Sequence, residues 1–289
     1  MLTSSIDYIS DLHIDHHISD TDNYNKVKNF ISTYVLPLDF KDKRPILVLA
    51  GDIFDRHTSA LYVFKAFKEF YDDIVYVYGN HECYVYDKTQ DSTEEKLHCI
   101  RNAANEAGIH MLEGTTVDIN GVTFGGSSAW YDFSYGYKYG EDYGTMYNLW
   151  KSYMSDSHLI ADYMAAPLAY SRNRHNILDC KRFMDDRLDQ VRNIPENIDV
   201  MVTHISPSVP PTLPDKYKDA TTGFYFFDGE QEVERINPKL WIFGHTHNEY
   251  NYKVHNTTLV CNPFGYQSER GKRLNKLDTR ISTYTIEKD

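Results

Sequence analysis

Five short clusters of carboxylate, amide and imidazole side chains are strung along the chain, and each stands directly after or at the end of an apolar run. They are Asp11-Leu12-His13, Gly51-Asp52-Ile53-Phe54-Asp55, Gly79-Asn80-His81-Glu82, Thr203-His204 and Gly244-His245-Thr246-His247. The runs, residues 6–9, 46–50, 74–78, 200–203 and 240–243, are short and rich in branched and aromatic residues, which reads as buried strand. Loops converge where strand ends line up along one edge of a layered sheet. The pattern therefore asks for a fold that brings five strand ends to one place.

Helical stretches over 24–35 and 59–70 separate the first three strands, and such alternation argues for layered α/β architecture. A third helix is punctuated at both ends, by the capping box Ser92-Thr93-Glu94-Glu95 and by Gly108. The pattern then turns antiparallel. Residues 115–119 and 122–125 flank Asn120-Gly121, a pair suited to the positive φ angles of a type I′ hairpin turn. Residues 252–255 and 258–261 suggest a second hairpin, and 281–286 a last strand. Two sheets packed face to face, with helices outside, would use these elements. Between about 131 and 191 the strands stop. Tyr131, Tyr135, Tyr137, Tyr139 and Tyr143 crowd around Gly136, Gly140 and Gly144, and helical patterns follow at 146–164 and 176–191. This stretch reads as a Tyr-rich, partly helical insertion over one end of the sheets, either a structural flap or a substrate-contacting cap. With no repeat or linker, a single domain over 1–289 is expected.

The net charge of −12 counts against a nonspecific grip on nucleic acid. A local cluster of opposite sign, Arg270, Lys272, Arg273, Lys276 and Arg280, reads as a solvated basic edge. The four cysteines lie far apart with no Cys-x-x-Cys pair, which points to thiols rather than a disulfide framework. No apolar run approaches the ~20 residues of a membrane span, and the first residues carry no basic, apolar leader. A cytoplasmic protein without a membrane partner is the expectation.

Asp and His suit borderline and hard divalent cations, and a carboxylate can bridge two of them. The spacing of two in Asp11-x-His13 and His245-x-His247 would put each pair on one side of an extended segment. Taken in order, DxH, GDxxD, GNHE, H and GHTH resemble the calcineurin-like metallophosphoesterase superfamily over residues 11–247. Met154-Ser-Asp-Ser-His-Leu-Ile160 and Asn262-Pro-Phe-Gly-Tyr266 are similar to small bacterial and phage members.

The resemblance implies a four-layer α/β/β/α sandwich of two packed mixed sheets with flanking helices. It also implies two divalent metal ions, manganese favoured, with iron, zinc, nickel and cobalt as alternatives. One would be held by Asp11, His13, Asp52 and His247, the other by Asp52, Asn80, His204 and His245, with Asp52 bridging. His81 is implied as the general acid near the leaving group. The reaction would be hydrolysis of a phosphomonoester or phosphodiester by in-line attack of a metal-bridging hydroxide. The chemistry is coherent. Two ions ~3.5–4 Å apart lower the pKa of a shared water and clamp phosphoryl oxygens. Two carboxylates and one hydroxide would leave such a pair about one positive charge, enough to attract phosphate in an acidic protein. An imidazole can carry a proton to a departing alkoxide near neutral pH.

Asp55 reads as a supporting residue that bonds back to His81 or to its own turn, and Glu82 as a loop brace. His16 and His17 read as loop residues. Asp156 and His175, in the insertion, are candidate substrate contacts. A small phosphorylated substrate is expected, a nucleotide favoured, because tyrosine rings stack on bases. A nuclease of the same chemistry would need a basic groove, which the charge disfavours. A protein phosphatase would need an open groove, which the long insertion disfavours. A non-catalytic scaffold would be marked by loss of His81 or of several donors, and none is missing.

Overall fold

A computed structural model describes residues 2–86, 92–160, 177–270 and 280–288. His175, Lys272, Arg273, Lys276 and residues 161–176 of the insertion lie outside the described residues. In chain order the elements are β1 (Leu2–Ile9), α1 (Tyr24–Phe30), β2 (Arg44–Ala50), α2 (His57–Lys68), β3 (Tyr71–Val77), α3 (Thr93–Ala107), β4 (His110–Met111), β5 (Thr115–Ile119) and β6 (Val122–Gly126). The insertion follows with α4 (Ser134–Tyr137), α5 (Tyr143–Tyr153), α6 (Asp156–Leu159) and α7 (Ile177–Arg192). The chain then runs through β7 (Val200–Val202), α8 (Glu230–Ile236), β8 (Leu240–Phe243), β9 (Tyr250–Val254), β10 (Thr257–Cys261), α9 (Gln267–Arg270) and β11 (Ser282–Lys288).

Two mixed sheets result, in the order β11-β1-β2-β3-β4 and β5-β6-β7-β8-β10-β9. Strands β1 to β4 are parallel, as are β6, β7, β8 and β10, and the antiparallel strands stand at the edges. Alternation along each strand serves two cores. Ile46, Val48, Ala50, Leu240 and Ile242 pack between the sheets, while Leu47, Leu49, Trp241 and Phe243 belong to the core on the outer, helix-covered faces. Burial on both faces is why these strands are continuously apolar in sequence. The fold is the expected α/β sandwich of two mixed sheets with flanking helices.

Local chemistry sets the boundaries. Ser92 and Glu95 form a reciprocal capping box on α3, and Gly108 closes that helix at φ 68°. Asn120 and Gly121 both take positive φ at the β5–β6 turn. One helix departs from expectation. The pattern over 146–164 predicts a continuous helix, but α5 ends at Tyr153, and Met154 is extended (ψ 128°) before the single turn of α6. The break turns Asp156 into the interior, where Tyr84, Tyr131 and Asn80 bond its carboxylate. Met146, Tyr147 and Trp150 bury the inner side of α5. A bridge between Tyr84 and Ile160 ties the insertion to the loop after β3.

Candidate metal centre

The five clusters stand at the C-terminal ends of β1, β2, β3, β7 and β8. The backbone there is not extended, as the spacing of two suggests. Asp11, His13, Asp52, His245 and His247 all adopt left-handed φ, between 42° and 68°. Side chains of each i, i+2 pair converge because the chain coils around the site. Such a conformation costs a non-glycine residue about 1–3 kcal/mol, so the surroundings must hold it. Asp11 N–H donates to the Gly51 carbonyl, His13 N–H to Asp52, and Gly244 N–H to His204. Glu82, fully buried, accepts from the backbone N–H groups of Gly79, Asp52, Ile53 and Phe54. That carboxylate braces the turn after β2 against the turn after β3. Gly79 has no room for a side chain, since a Cβ would lie 2.2 Å from Asp52 Oδ1.

Two groups of donors share one carboxylate. Asp11, His13, Asp52 and His247 offer donor atoms within 4.8 Å of one another, and so do Asp52, His204 and His245. Nε2 of His13 and Nε2 of His247 face each other at 3.1 Å, and His247 Nε2 lies 3.5 Å from Asp11 Oδ1. Asp52 Oδ2 is 3.7 Å from His13 Nε2 and 3.4 Å from His204 Nε2. Asn80 Oδ1 is 3.1 Å from both His204 Nε2 and His245 Nδ1. Asp11 and Asp52 are buried, and among the described residues only imidazoles stand as basic partners within 4.0 Å of them. Buried carboxylates facing imidazole ring nitrogens are the donor set a divalent cation satisfies.

The outer hydrogen bonds decide which ring nitrogen faces inward. His204 Nδ1 is 2.9 Å from the Ala50 carbonyl, His245 Nε2 is 3.1 Å from that of Phe224, and His247 Nδ1 is 2.8 Å from Glu269. Each acceptor fixes a proton on that nitrogen and leaves the opposite one for the site. The Asn80 amide is oriented in the same way. Its Nδ2 donates to Asp156 and to the Tyr84 hydroxyl, so its oxygen faces the imidazoles. Burial and the charge of His204 hold His245 down to about 3, and burial lowers His13. His204 is pushed up to about 10, because Asp52 outweighs its burial.

Residues 4–249 match the family model for the calcineurin-like phosphoesterases. The chain belongs to that family. An uncharacterized protein, L509, of Acanthamoeba polyphaga mimivirus is 24% identical over 279 residues, covering 91% of each chain. The crystal structure of a phosphopantetheinyl hydrolase from Mycobacterium tuberculosis superposes with a TM-score of 0.70 at 15% identity, over 97% of this chain and 95% of that one. This likeness is one of fold.

In this family member His81 stands at the rim of the donor groups. Its backbone N–H donates to Asp52 Oδ1, its Nδ1 is 3.0 Å from Asp55 Oδ1, and its Nε2 faces the Tyr266 hydroxyl at 3.1 Å. Burial opposes its charge, but Asp52 and Asp55 prevail and raise it to about 9. Asp55 is itself held by His16 Nε2 at 3.1 Å and by the Tyr86 hydroxyl at 2.6 Å. His16 thus reaches the site, contrary to the loop reading. Asp156, expected as a substrate contact, is fully buried behind Asn80, accepts from its Nδ2, and is not among the residues lining the cleft.

A cleft of about 330 Å³ opens over His81, Asn80 and His245, walled by Tyr84, Tyr153, Tyr225 and Tyr266. Tyr266 stacks on His13 with ring centroids 4.4 Å apart. Sequence reasoning missed Tyr266, Tyr84 and Glu269 as site residues. The Asn262-Pro-Phe-Gly-Tyr266 piece was the available signal for the first. Asn262 and Phe264 lock onto Ser10, and Gly265 N–H onto the Asp11 carbonyl. Among the described residues no helix is long and apolar enough to cross a membrane.

Proposed function

We propose that this protein is a single-domain, two-metal phosphoesterase acting on a small phosphorylated organic ester. One cation would lie between Asp11, His13, Asp52 and His247, the other between Asp52, Asn80, His204 and His245. The observation that carries the reading is Asp52 Oδ2, set between the His13 and His204 nitrogens at 3.7 and 3.4 Å. When bound, such ions supply Lewis acidity, activating a water and polarising phosphoryl oxygens. Manganese is the first ion to try.

The protein's own groups do the rest. His81, held at Nδ1 by Asp55, presents Nε2 to the cleft and gives its proton to the leaving oxygen. Asn80 contributes a neutral oxygen and so cancels no cationic charge. Tyr84, Tyr153, Tyr225 and Tyr266 offer aromatic walls to the organic part of the substrate, which favours a nucleotide-type ester. The fold neighbour's name adds a phosphopantetheinyl ester as a second probe.

The test is turnover by metal-stripped protein given manganese, iron, cobalt, nickel or zinc in turn. Chromogenic monoesters and diesters come first, then nucleotides and a phosphopantetheinyl ester. We expect metal-dependent hydrolysis with two metals bound per chain, reduced roughly 10²–10⁴-fold in His81→Ala. Two bound metals without turnover of any ester would favour the scaffold reading instead.

A further inference from the structure

The hydroxyl of Tyr266 occupies a position that the assigned machinery leaves unexplained. His81 Nδ1 faces a carboxylate, Asp55, that can only accept, so Nδ1 carries hydrogen and Nε2 is the atom that delivers a proton. That atom faces the cleft and lies 3.1 Å from Tyr266 Oη. This is the distance a leaving-group oxygen must reach to take the proton. Tyr266 Oη therefore stands at the threshold of the leaving-group position.

Its placement is secured from two sides. The ring stacks on His13 at a 25° interplanar angle and lies 4.9 Å from the His247 ring. Its backbone is held by Glu269 Oε2 accepting from the Tyr266 N–H at 2.9 Å, and by the neighbouring Gly265 N–H on Asp11. Glu269 also accepts from His247, so the carboxylate that orients one proposed metal ligand also sets the tyrosine. Among the described residues the hydroxyl's hydrogen-bond partner is His81 Nε2. Without substrate, a protonated Nε2 donates to Tyr266 Oη. When an ester oxygen comes within reach of Nε2 it takes that hydrogen bond instead, and the phenolic hydrogen can point at the same oxygen.

We propose that Tyr266 is a second catalytic residue on the leaving-group side, donating a hydrogen bond to the departing oxygen next to His81 Nε2. This rests on the phosphoesterase reading above. As a water oxygen bonds to phosphorus, the bond from phosphorus to the ester oxygen breaks and its electron pair stays on that oxygen. The Nε2 proton of His81 passes to the same oxygen and leaves a neutral imidazole. Tyr266 keeps its own proton and stabilises the developing charge. The attacking water's surplus proton goes to solvent, from which His81 is reprotonated.

A hydrogen bond to developing charge matters most where that charge is greatest, on poor leaving groups. The experiment compares wild type, Tyr266→Phe and His81→Gln on a p-nitrophenyl ester and on an alkyl ester of the same phosphoryl group. Metal content is measured for each. The ¹⁵N shift of His81 Nε2 in the metal-free protein reports the hydrogen bond without turnover. We expect Tyr266→Phe to bind metal as wild type does, to shift the Nε2 resonance, and to lose roughly 10- to 100-fold more on the alkyl than on the nitrophenyl ester. An active wild type whose Tyr266→Phe variant loses the same factor on both esters, or none, would overturn this inference alone. A wild type inactive on both would overturn it together with the phosphoesterase reading.

Discussion

His204 shows how one residue carries a proton and a proposed metal site in competition. In the metal-free protein its imidazole is raised to about 10 by Asp52, despite complete burial. A histidine raised in this way above its unfolded value of about 6.5 stabilises the fold fully below that pH. The contribution is lost as pH rises from about 6.5 through about 10. A metal needs the same Nε2 unprotonated, so cation entry must expel the proton. Titrating manganese into metal-free protein near pH 7 should therefore release about one proton or more per chain. Calorimetry in two buffers of different ionisation enthalpy reads that number, and affinity should fall as pH falls. Buffer-independent heats would mean that His204 does not ligate through this nitrogen.

Among the elements, the insertion is where sequence and structure part most instructively. Its helix breaks at Met154 so that Asp156 can enter the core, and the carboxylate then collects Asn80 Nδ2, the Tyr84 hydroxyl and the Tyr131 hydroxyl. Trp150 on α5 donates in turn to Tyr131. The insertion is thus wired to the one amide among the proposed ligands. Asp156→Leu should take the acceptor away from three buried donors, Asn80 Nδ2 and the hydroxyls of Tyr84 and Tyr131, at about 1–3 kcal/mol each. It should also weaken cation binding roughly 10- to 100-fold, as loss of an outer hydrogen-bond partner does. Thermal melts with and without manganese separate the two effects, and an unchanged metal affinity would make Asp156 purely structural. The five clusters and their strands were legible because apolar runs and adjacent donors are local patterns. His16 and Tyr266 were not, since each reaches the site through tertiary placement that no spacing announces, and Asp156 was singled out as a substrate contact and not as the partner of Asn80. The left-handed φ of Asp11, His13, Asp52, His245 and His247 was also out of reach. Asp and His visit that region more readily than most residues, but five of them held there at one site is a conformation that only interlocking loops enforce.

At the scale of the whole molecule, the donors come from both sheets. Asp11, His13, Asp52 and Asn80 follow strands of the first, and His204, His245 and His247 follow strands of the second. Protein contacts already stitch this end together. Ser10 bridges to Pro263, Asn262 Nδ2 donates to the carbonyls of Tyr8 and Arg280, and His245 N–H donates to Asp11 Oδ1. Among the described residues, the buried carboxylates at the seam still have only imidazoles for basic partners. Cations bound there would fasten one sheet to the other, and their binding energy would become folding energy by mass action. A ligand at 100 times its dissociation constant adds about 2.7 kcal/mol. For a chain of this size that corresponds to roughly 4–5 °C in melting temperature. Stripping metal should therefore lower the melting temperature by at least that much, and adding manganese should restore it in a concentration-dependent way. His247→Ala should blunt the restoration while leaving the metal-free melt nearly in place, because His247 lies at the cleft and not in the inter-sheet core. A melting temperature indifferent to chelation, with metal loss verified, would show that the hydrogen bonds across the seam suffice without cations.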